Sequence, residues 1–478
     1  MHEIDLHRKV LELTALVQRC QEEIFSLKAE NHQLKQEIFS LRAENKRLRE
    51  ENKQLKEKVA VLEEKLGLNS RNSSLPPSRD LYRQRRADRP KSDRRAGGQP
   101  GHQGHRREPM MAHEVVSCEL EETRCTCGGT IEAIGHATHQ VVDIPPIQPM
   151  VTEYRLAKGQ CAQCRKKKIA ALPKGVERDI LGPQAKSIIT ALTGFLGVSK
   201  RDAQSCLKTM FGLPVSLGLI SRTEARMAKK CQGHYEALHT QVLNSAAVHM
   251  DETGHRDKDG KRGWMWVAAT REATVLKIAP SRGQAVVKNF LPEYEGFVTS
   301  DRYAAYNVFS REQRQICWAH LARDFERMAH SRLSAVRDLG GALVQLTGEV
   351  FALDKARRQQ VIPNEVAGRR FRKVRKRFLY YLKQAICQDE STQAARVAKN
   401  ILKSEEMMWR FVKHLDLLEP TNNLAERQLR KYVIYRKRSF FTWSERGNRF
   451  LERILSLFLS CRQQQLNPFQ LLSQIAAS

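Results

Sequence analysis

The chain has 478 residues and carries 82 Lys and Arg against 53 Asp and Glu, a formal surplus of +29. That length suggests about three domains, and 41% hydrophobic residues are enough for real cores, which excludes a wholly disordered chain. No apolar run approaches the roughly 18 residues of a membrane span, and Met1-His2-Glu3-Ile4-Asp5 is not the basic-then-apolar opening of a signal peptide. A cytoplasmic, nucleoid-associated protein without a membrane partner is therefore expected. So large a positive surplus implies a polyanion as partner, nucleic acid foremost. Eleven cysteines, four of them in two close pairs, indicate metal binding in a reducing compartment.

Residues 1–66 repeat with a period of seven. Leu27, Leu34, Leu41, Leu48, Leu55 and Leu62 occupy one heptad position, and Leu6 and Leu13 extend the series backwards with Cys20 in the gap. The partner position reads Val10, Val17, Ile24, Asn31, Ile38, Asn45, Asn52, Val59 and Leu66. Leucine at d with β-branched residues and buried Asn at a predicts a parallel two-stranded coiled coil, hence a homodimer or higher assembly. Residues 67–112 begin with Asn69-Ser70-Arg71-Asn72-Ser73-Ser74 and Pro76-Pro77, hold nine Lys/Arg against two Asp between Leu81 and Arg107, and include GGQPGHQGH at 97–105. They read as a basic, disordered linker.

Residues 113–176 read as a small β-rich, zinc-finger-like module. Cys125 and Cys127 form one knuckle and Cys161 and Cys164 the other, and four thiolates suit tetrahedral Zn2+. The first pair is one residue shorter than the usual C-x-x-C, so Cys118, His136 and His139 stand as substitute ligands. Residues 177–243 form a helical module. Ile188, Ile189, Leu192 and Leu196 make an apolar stripe, and breaks at Gly197-Val198-Ser199 and Phe211-Gly212-Leu213-Pro214 introduce two further helices. The pattern fits a DNA-binding helix-turn-helix as well as a plain bundle.

From residue 244 to 455 the pattern changes. Strands are expected over 246–250, ending in Asp251, and over 263–270, 273–278 and 296–300, the last ending in Asp301; a helix is expected over 284–291. Three antiparallel strands, a helix and a parallel strand open a ribonuclease-H-like α/β core, in which the first and fourth strands are neighbours. Two adjacent carboxylates repel unless cations intervene, and hard oxygen ligands suit Mg2+ or Mn2+ in two-metal phosphoryl transfer. Glu426 in Thr421-Asn422-Asn423-Leu424-Ala425-Glu426 is the best third carboxylate, with Glu405, Glu406 and Glu419 as rivals. His249 and His320 fit a structural role at least as well as one in orienting a carboxylate or touching a scissile phosphate, and stand outside the catalytic set. A basic helical insertion at about 326–415 contains seven basic residues in the nine from Arg369 to Arg377, a second run extends from Arg427 to Arg438, and residues 456–478 form a C-terminal helical tail.

HMDETG at 249–254, SDRYAAYN at 300–307, CWAHLARDF at 317–325 and TNNLAERQLR at 421–430 resemble the signature blocks of bacterial insertion-sequence DDE transposases of the IS66 family. The leucine-rich helix, the NSRNSS and PPS linker, GGQPGHQGH and the zinc module also follow that family's order. The resemblance implies catalytic, metal-binding Asp251, Asp301 and Glu426, double-stranded DNA as partner at both element ends and target, and accessory proteins encoded by the same element. The implied reaction is cleavage at the element's 3′ ends followed by strand transfer. The alternative is a non-catalytic DNA-binding regulator descended from such an enzyme.

Overall fold

The computed structural model describes residues 2–66, 108–121, 124–132, 134–176, 178–256, 259–388 and 392–478. The linker expected at 67–112 lies outside them up to residue 107. In chain order the elements are α1 (His2–Leu66), β1 (Lys158–Gln160), β2 (Lys167–Ile169), α2 (Pro183–Thr190), α3 (Lys200–Phe211), α4 (Leu217–Lys230), α5 (Gln232–Leu243), β3 (Ala247–Arg256), β4 (Arg262–Ala269), β5 (Thr274–Ala279), α6 (Gln284–Phe290), β6 (Phe297–Ser300), β7 (Arg314–Ile316), α7 (Trp318–Ala329), α8 (Ser334–Arg358), α9 (Asn364–Gln388), α10 (Gln393–Leu402), α11 (Glu405–Met408), α12 (Asn423–Ser439), α13 (Glu445–Gln463) and α14 (Pro468–Ala477). The protein therefore mixes helices and strands. Among the described residues no helix is long and apolar enough to cross a membrane. The chain divides into two bodies, one of residues 1–81 and 295–423 and the other of residues 82–294 and 424–478.

In the first body, α1 runs 65 residues without an internal Gly or Pro, roughly 100 Å at 1.5 Å per residue. Among the described side chains its heptad leucines are wet in the single chain: Leu34 and Leu48 are each 50% exposed. Strands β6 and β7 pair in parallel, Val298 opposite Arg314 and Ser300 opposite Ile316. Among the described residues the expected insertion is a run of helices joined by short loops, from the end of α7 to a short 3-10 turn at Arg410–Lys413. It is built on an aromatic core in which Trp318 meets Trp409 at 4.7 Å and Phe371 meets Phe411 at 5.0 Å between ring centres. The buried Gln315 amide staples β7 to this core, donating to the carbonyls of Ile316 and Met408 and accepting from Phe411 N–H at 2.7 Å. A buried amide is tolerated because its donors and acceptor are satisfied.

In the second body, the module expected to be β-rich holds, among the described residues, two three-residue antiparallel strands, β1 and β2, and an Arg124–Thr130 bridge. All six residues of β1 and β2 are exposed, so no apolar face extends them. The helical module follows its sequence signals. Ser199 and Ser216 cap α3 and α4 through Asp202 N–H and Leu219 N–H, and Gly212 ends α3 in the left-handed region, φ +58°. Leu181, Ile189, Leu207, Val215 and Ile220 form its core. Between α2 and α3 the chain widens into a π-turn at Ala191–Phe195. Gly194 sits there because a Cβ would lie 2.7 Å from Ile454 of α13.

Strands β3, β4 and β5 form an antiparallel ladder, with Asp251 opposite Val267 and Val267 opposite Leu276. The outer edge of β5 does not meet another strand along α13. Instead a row of side chains at i, i+4 and i+8 on α13 accepts its N–H groups: Glu452 from Ile278 at 2.5 Å, Ser456 from Leu276 at 2.9 Å and Ser460 from Thr274 at 2.9 Å. Ser460 also donates to the Thr274 carbonyl, and Gln463 donates to that of Thr270. The opposite character of α13 is equally used, since Phe450, Leu451, Ile454, Leu455 and Phe458 fill the core of this body. Burial pushes the Glu452 carboxyl up to about 7.

Replacing Ser456 by Ala leaves the Leu276 N–H without an acceptor and is expected to cost about 1–3 kcal/mol in urea unfolding. Glu452 favours its protonated form in the folded state, so its stabilising contribution is complete below the unfolded carboxyl range near 4.5 and is lost as pH rises through about 7. Glu452→Gln keeps the acceptor oxygen. It is expected to flatten the fall in unfolding midpoint across that window.

Candidate functional site

Asp301 follows the last residue of β6, as the sequence predicts. Its Oδ1 accepts the Tyr303 N–H at 2.9 Å, and its main-chain carbonyl accepts from Arg314 at 3.1 Å. Two neighbours of this strand end are tied to it. The Cys317 N–H donates to the Ser300 carbonyl at 2.9 Å, and the Asn422 N–H donates to Cys317 Sγ at 3.1 Å. A third bond joins Trp318 N–H to the Pro420 carbonyl at 2.8 Å. The Thr421-Asn422 segment is thus fixed beside the end of β6 within the first body, and α12 begins at the next residue. Glu426 lies in the first turn of α12.

Two of the three rival carboxylates are engaged elsewhere. Glu405 is 7% exposed and takes both arms of Arg375, at 2.6 and 2.8 Å, and Glu419 pairs with Arg358 at 3.3 Å. Only Glu406 of the three is exposed. The basic run 369–377 divides by face. Phe371 and Val374 are buried, Arg375 and Arg377 are held by Glu405 and Glu349, and Arg369, Arg370, Arg372, Lys373 and Lys376 remain exposed.

Asp251 differs from expectation in one respect. It does not end its strand: β3 continues to Arg256, and the apparent turn residues Thr253 and Gly254 are ladder positions opposite Met265 and Trp264. The extension is held by α12. His255 Nδ1 lies 2.6 Å from the Tyr432 hydroxyl, and Arg436 donates to Thr253 Oγ1 at 2.9 Å and to the Gly254 carbonyl. Asp251 therefore occupies a strand interior, half-buried, with Oδ1 accepting its neighbour's Glu252 N–H at 2.9 Å. The adjacent Glu252 points to the other face and is paired with Arg282 at 2.5 Å. His249 is buried on β3. The sequence read Arg436 as one more surface cation, whereas it turns inward here.

The four module cysteines lie in two knuckles. Cys125 N–H donates to Gly129 and Gly128 N–H to Cys125, with Gly128 at φ +91°. Cys161 N–H donates to Lys166 and Arg165 N–H to Cys161, with Arg165 at φ +54°. Within the second knuckle the N–H groups of Cys164 and Gln163 lower the Cys161 thiol below its ordinary value, and the Cys127 N–H does the same for Cys125. Such N–H donation to sulfur favours the thiolate a metal needs. All four cysteines, and Cys118, are exposed. The structure brings each pair together but does not gather three or more of these sulfurs within 4.8 Å of one another.

Residues 200–449, more than half of the chain, match the model of the transposase IS66 family. The chain belongs to that family. Residues 122–165, which span both knuckles, match the zinc-finger binding domain of transposase IS66, and residues 11–108 match a family of unknown function, DUF6444. Two relatives from Sinorhizobium fredii are similar, each 24% identical and each named an uncharacterized protein. The protein y4qI aligns over 55% of this chain and 53% of its own length, and y4jD over 75% of each. The chain thus spans about half of the first relative and three quarters of the second. The IS66 membership accounts for a transposase domain and a zinc-binding domain in one chain.

Arg436→Ala removes two hydrogen bonds from a half-buried cation and is expected to lower stability by about 1–3 kcal/mol. Lys437→Ala, one residue on and exposed, is expected to stay within about 0.5 kcal/mol of wild type. Urea unfolding of the two variants in parallel checks both.

Proposed function

We propose that the chain is a metal-dependent DNA strand transferase that cuts the 3′ ends of its own insertion sequence and joins them to target DNA. The observation that carries this reading is the hydrogen-bonded assembly of the end of β6 with Cys317 and Asn422, which sets the segment leading into α12, the helix bearing Glu426, beside the strand end that precedes Asp301. The order of elements supports a ribonuclease-H-like core: an antiparallel trio, a helix, then a parallel pair. In such a core β6 lies beside β3, and Asp251, Asp301 and Glu426 form one acidic site.

Carboxylates on rigid elements suit hard divalent cations. Mg2+, or Mn2+, held by these three residues supplies Lewis acidity at phosphorus and lowers the pKa of the attacking hydroxyl. The protein's own part is positional. The Tyr303 N–H fixes one oxygen of Asp301 and so orients the other, and the Arg314 guanidinium holds the backbone of the same residue. In cleavage, water oxygen bonds to phosphorus as the bond to the leaving oxygen breaks. In strand transfer the freed 3′-hydroxyl makes the same in-line displacement, so one site serves both.

The remaining parts hold and present DNA. The exposed cations on α9 and the exposed Arg427, Arg430, Lys437 and Arg438 on α12 contact phosphates without reading sequence. The capped pair α3 and α4, with Arg222 and Lys229 exposed, serves as a helix-turn-helix. Cys125, Cys127, Cys161 and Cys164 hold a structural Zn2+, whose binding draws the two knuckles together. Two copies pair through α1. The g-position Glu23, Glu30, Glu37 and Glu44 and the e-position Lys28, Lys35, Arg42 and Arg49 alternate so that a parallel, in-register pair meets opposite charges along the seam. A dimer suits a reaction on two DNA ends, with other proteins of the same element as accessory partners.

The deciding experiment is Mg2+-dependent cleavage of labelled duplexes carrying the element's ends. Wild type is expected to cut at the 3′ ends, and Asp301→Ala to be slower by at least about a hundredfold, the loss of several kcal/mol of metal-borne stabilisation. Specific binding without cutting in Mg2+ and Mn2+, with the neighbouring gene products present, would instead identify a regulator. Metal analysis tests the zinc assignment: one Zn2+ per chain is expected in wild type and in Cys118→Ser, and none in Cys161→Ser.

A further inference from the structure

Within the first body a cavity of about 550 Å3 opens beside the loop after β6, β7 and the corner between α10 and α11. Four cations line it, Arg302, Arg311, Arg314 and Lys403, and no carboxylate does. Arg302 is partly balanced from outside by Asp324. Arg314 is the informative member. It is 4% exposed, and its hydrogen bonds go to neutral oxygens: one arm donates to Asn307 Oδ1 at 2.7 Å and the other to the Asp301 carbonyl at 3.1 Å, while the Asp301 carboxylate favours its charge only through space. Its Nε is buried with no hydrogen-bond partner. Burial works against the charge of this guanidinium, and the Asp301 carboxylate offsets that only in part, so a basic cavity with no carboxylate in its lining is where a further anion is stabilising. The rest of the lining is not ionic. Phe309 and Met407, each 8% exposed, give an apolar wall, and Asn400 and Ser404 add polar groups at the α10–α11 corner.

Cations on one side and an apolar wall on the other fit a phosphate ester with a flat or sugar-like substituent, and the volume lies in the range of small-ligand sites. We propose that this cavity takes one nucleotide of a DNA strand, its phosphate against Arg311, Arg314 and Lys403 and its base against Phe309 and Met407. The inference rests on the transposase reading, because Arg314 grips the backbone of Asp301 and so sets the pocket next to the reacting phosphodiester. A nucleotide swung out of the stack loses its stacking, which the four lining cations offset by gaining a phosphate. The pocket then holds the strand end in place between cleavage and transfer. A free nucleoside monophosphate shares this chemistry, and the test separates the two sources.

The test is photochemical and needs no catalysis. Full-length protein is mixed in EDTA with element-end duplexes carrying 5-iododeoxyuridine at successive positions around the cleavage site, irradiated, and mapped by mass spectrometry. The expected result is a cross-link to Phe309 or Met407 from one or two adjacent positions. Arg311→Ala with Lys403→Ala, both exposed, should lower that cross-link at least tenfold at saturating DNA. Arg372→Ala with Lys373→Ala on α9 should weaken binding yet keep the cross-link. The proposal is overturned by wild-type cross-links that avoid residues 302–316 and 400–407, or by a yield unchanged in the pocket pair. It is also overturned if deoxyadenosine monophosphate competes the cross-link away at concentrations equal to the duplex, which would assign the cavity to a free nucleotide. A mapped cross-link with no Mg2+-dependent cutting would keep the pocket and reject the strand-transfer reading.

Discussion

The backbone N–H groups on the outer edge of β5 must be satisfied, and the second body is arranged around how that is done. An open strand edge invites pairing with another chain. Here the edge is closed by a helix, whose Glu452, Ser456 and Ser460 fall one turn apart and meet alternate residues of β5. A helical row at i, i+4 and i+8 advances about 6 Å per step, close to the spacing of two residues along a strand, so the two periods run in step. That match fixes α13 along the strand. The apolar residues of α13 then define where the π-turn, Gly194 and α14 can pack.

In the first body the corresponding constraint is charge. Arg375 reaches Glu405 from the inner side of a helix whose outer side carries the exposed cations of the 369–377 run. A helix so basic is self-repulsive by itself. Its buried Phe371, Val374 and Phe378, packed under Trp318 and Trp409, hold it in place, and the surplus charge is left facing outward.

Much of this was legible in the sequence because local signals were strong. Ser199 and Ser216 announce their helices, Gly212 ends one, and the strand patterns around 263–278 and 296–300 appear within a residue or two. Asp301 at a strand end followed from the same patterns. The interior position of Asp251 did not, because Thr253-Gly254 looks like a turn. Its true role as ladder residues depends on His255 and Arg436 contacts nearly 180 positions away. The β-rich reading of the knuckle module overestimated strands, since short segments without an apolar face gain little from pairing. The basic cavity was invisible for a simpler reason: Arg302, Arg314 and Lys403 share no local pattern, and only the fold of the insertion gathers them.

The wet leucine row of α1 has a consequence for dosage. A single helix of this kind is stabilised by little beyond its own backbone. In the pairing proposed above a second copy buries the stripe, so its order would obey mass action and rise with the number of chains present. With few copies made, the stripe would stay solvated and the helix open to proteases. Past a threshold of expression it would zip. The abundance of the protein, rather than any added ligand, would then set how much of it is assembled at a given moment.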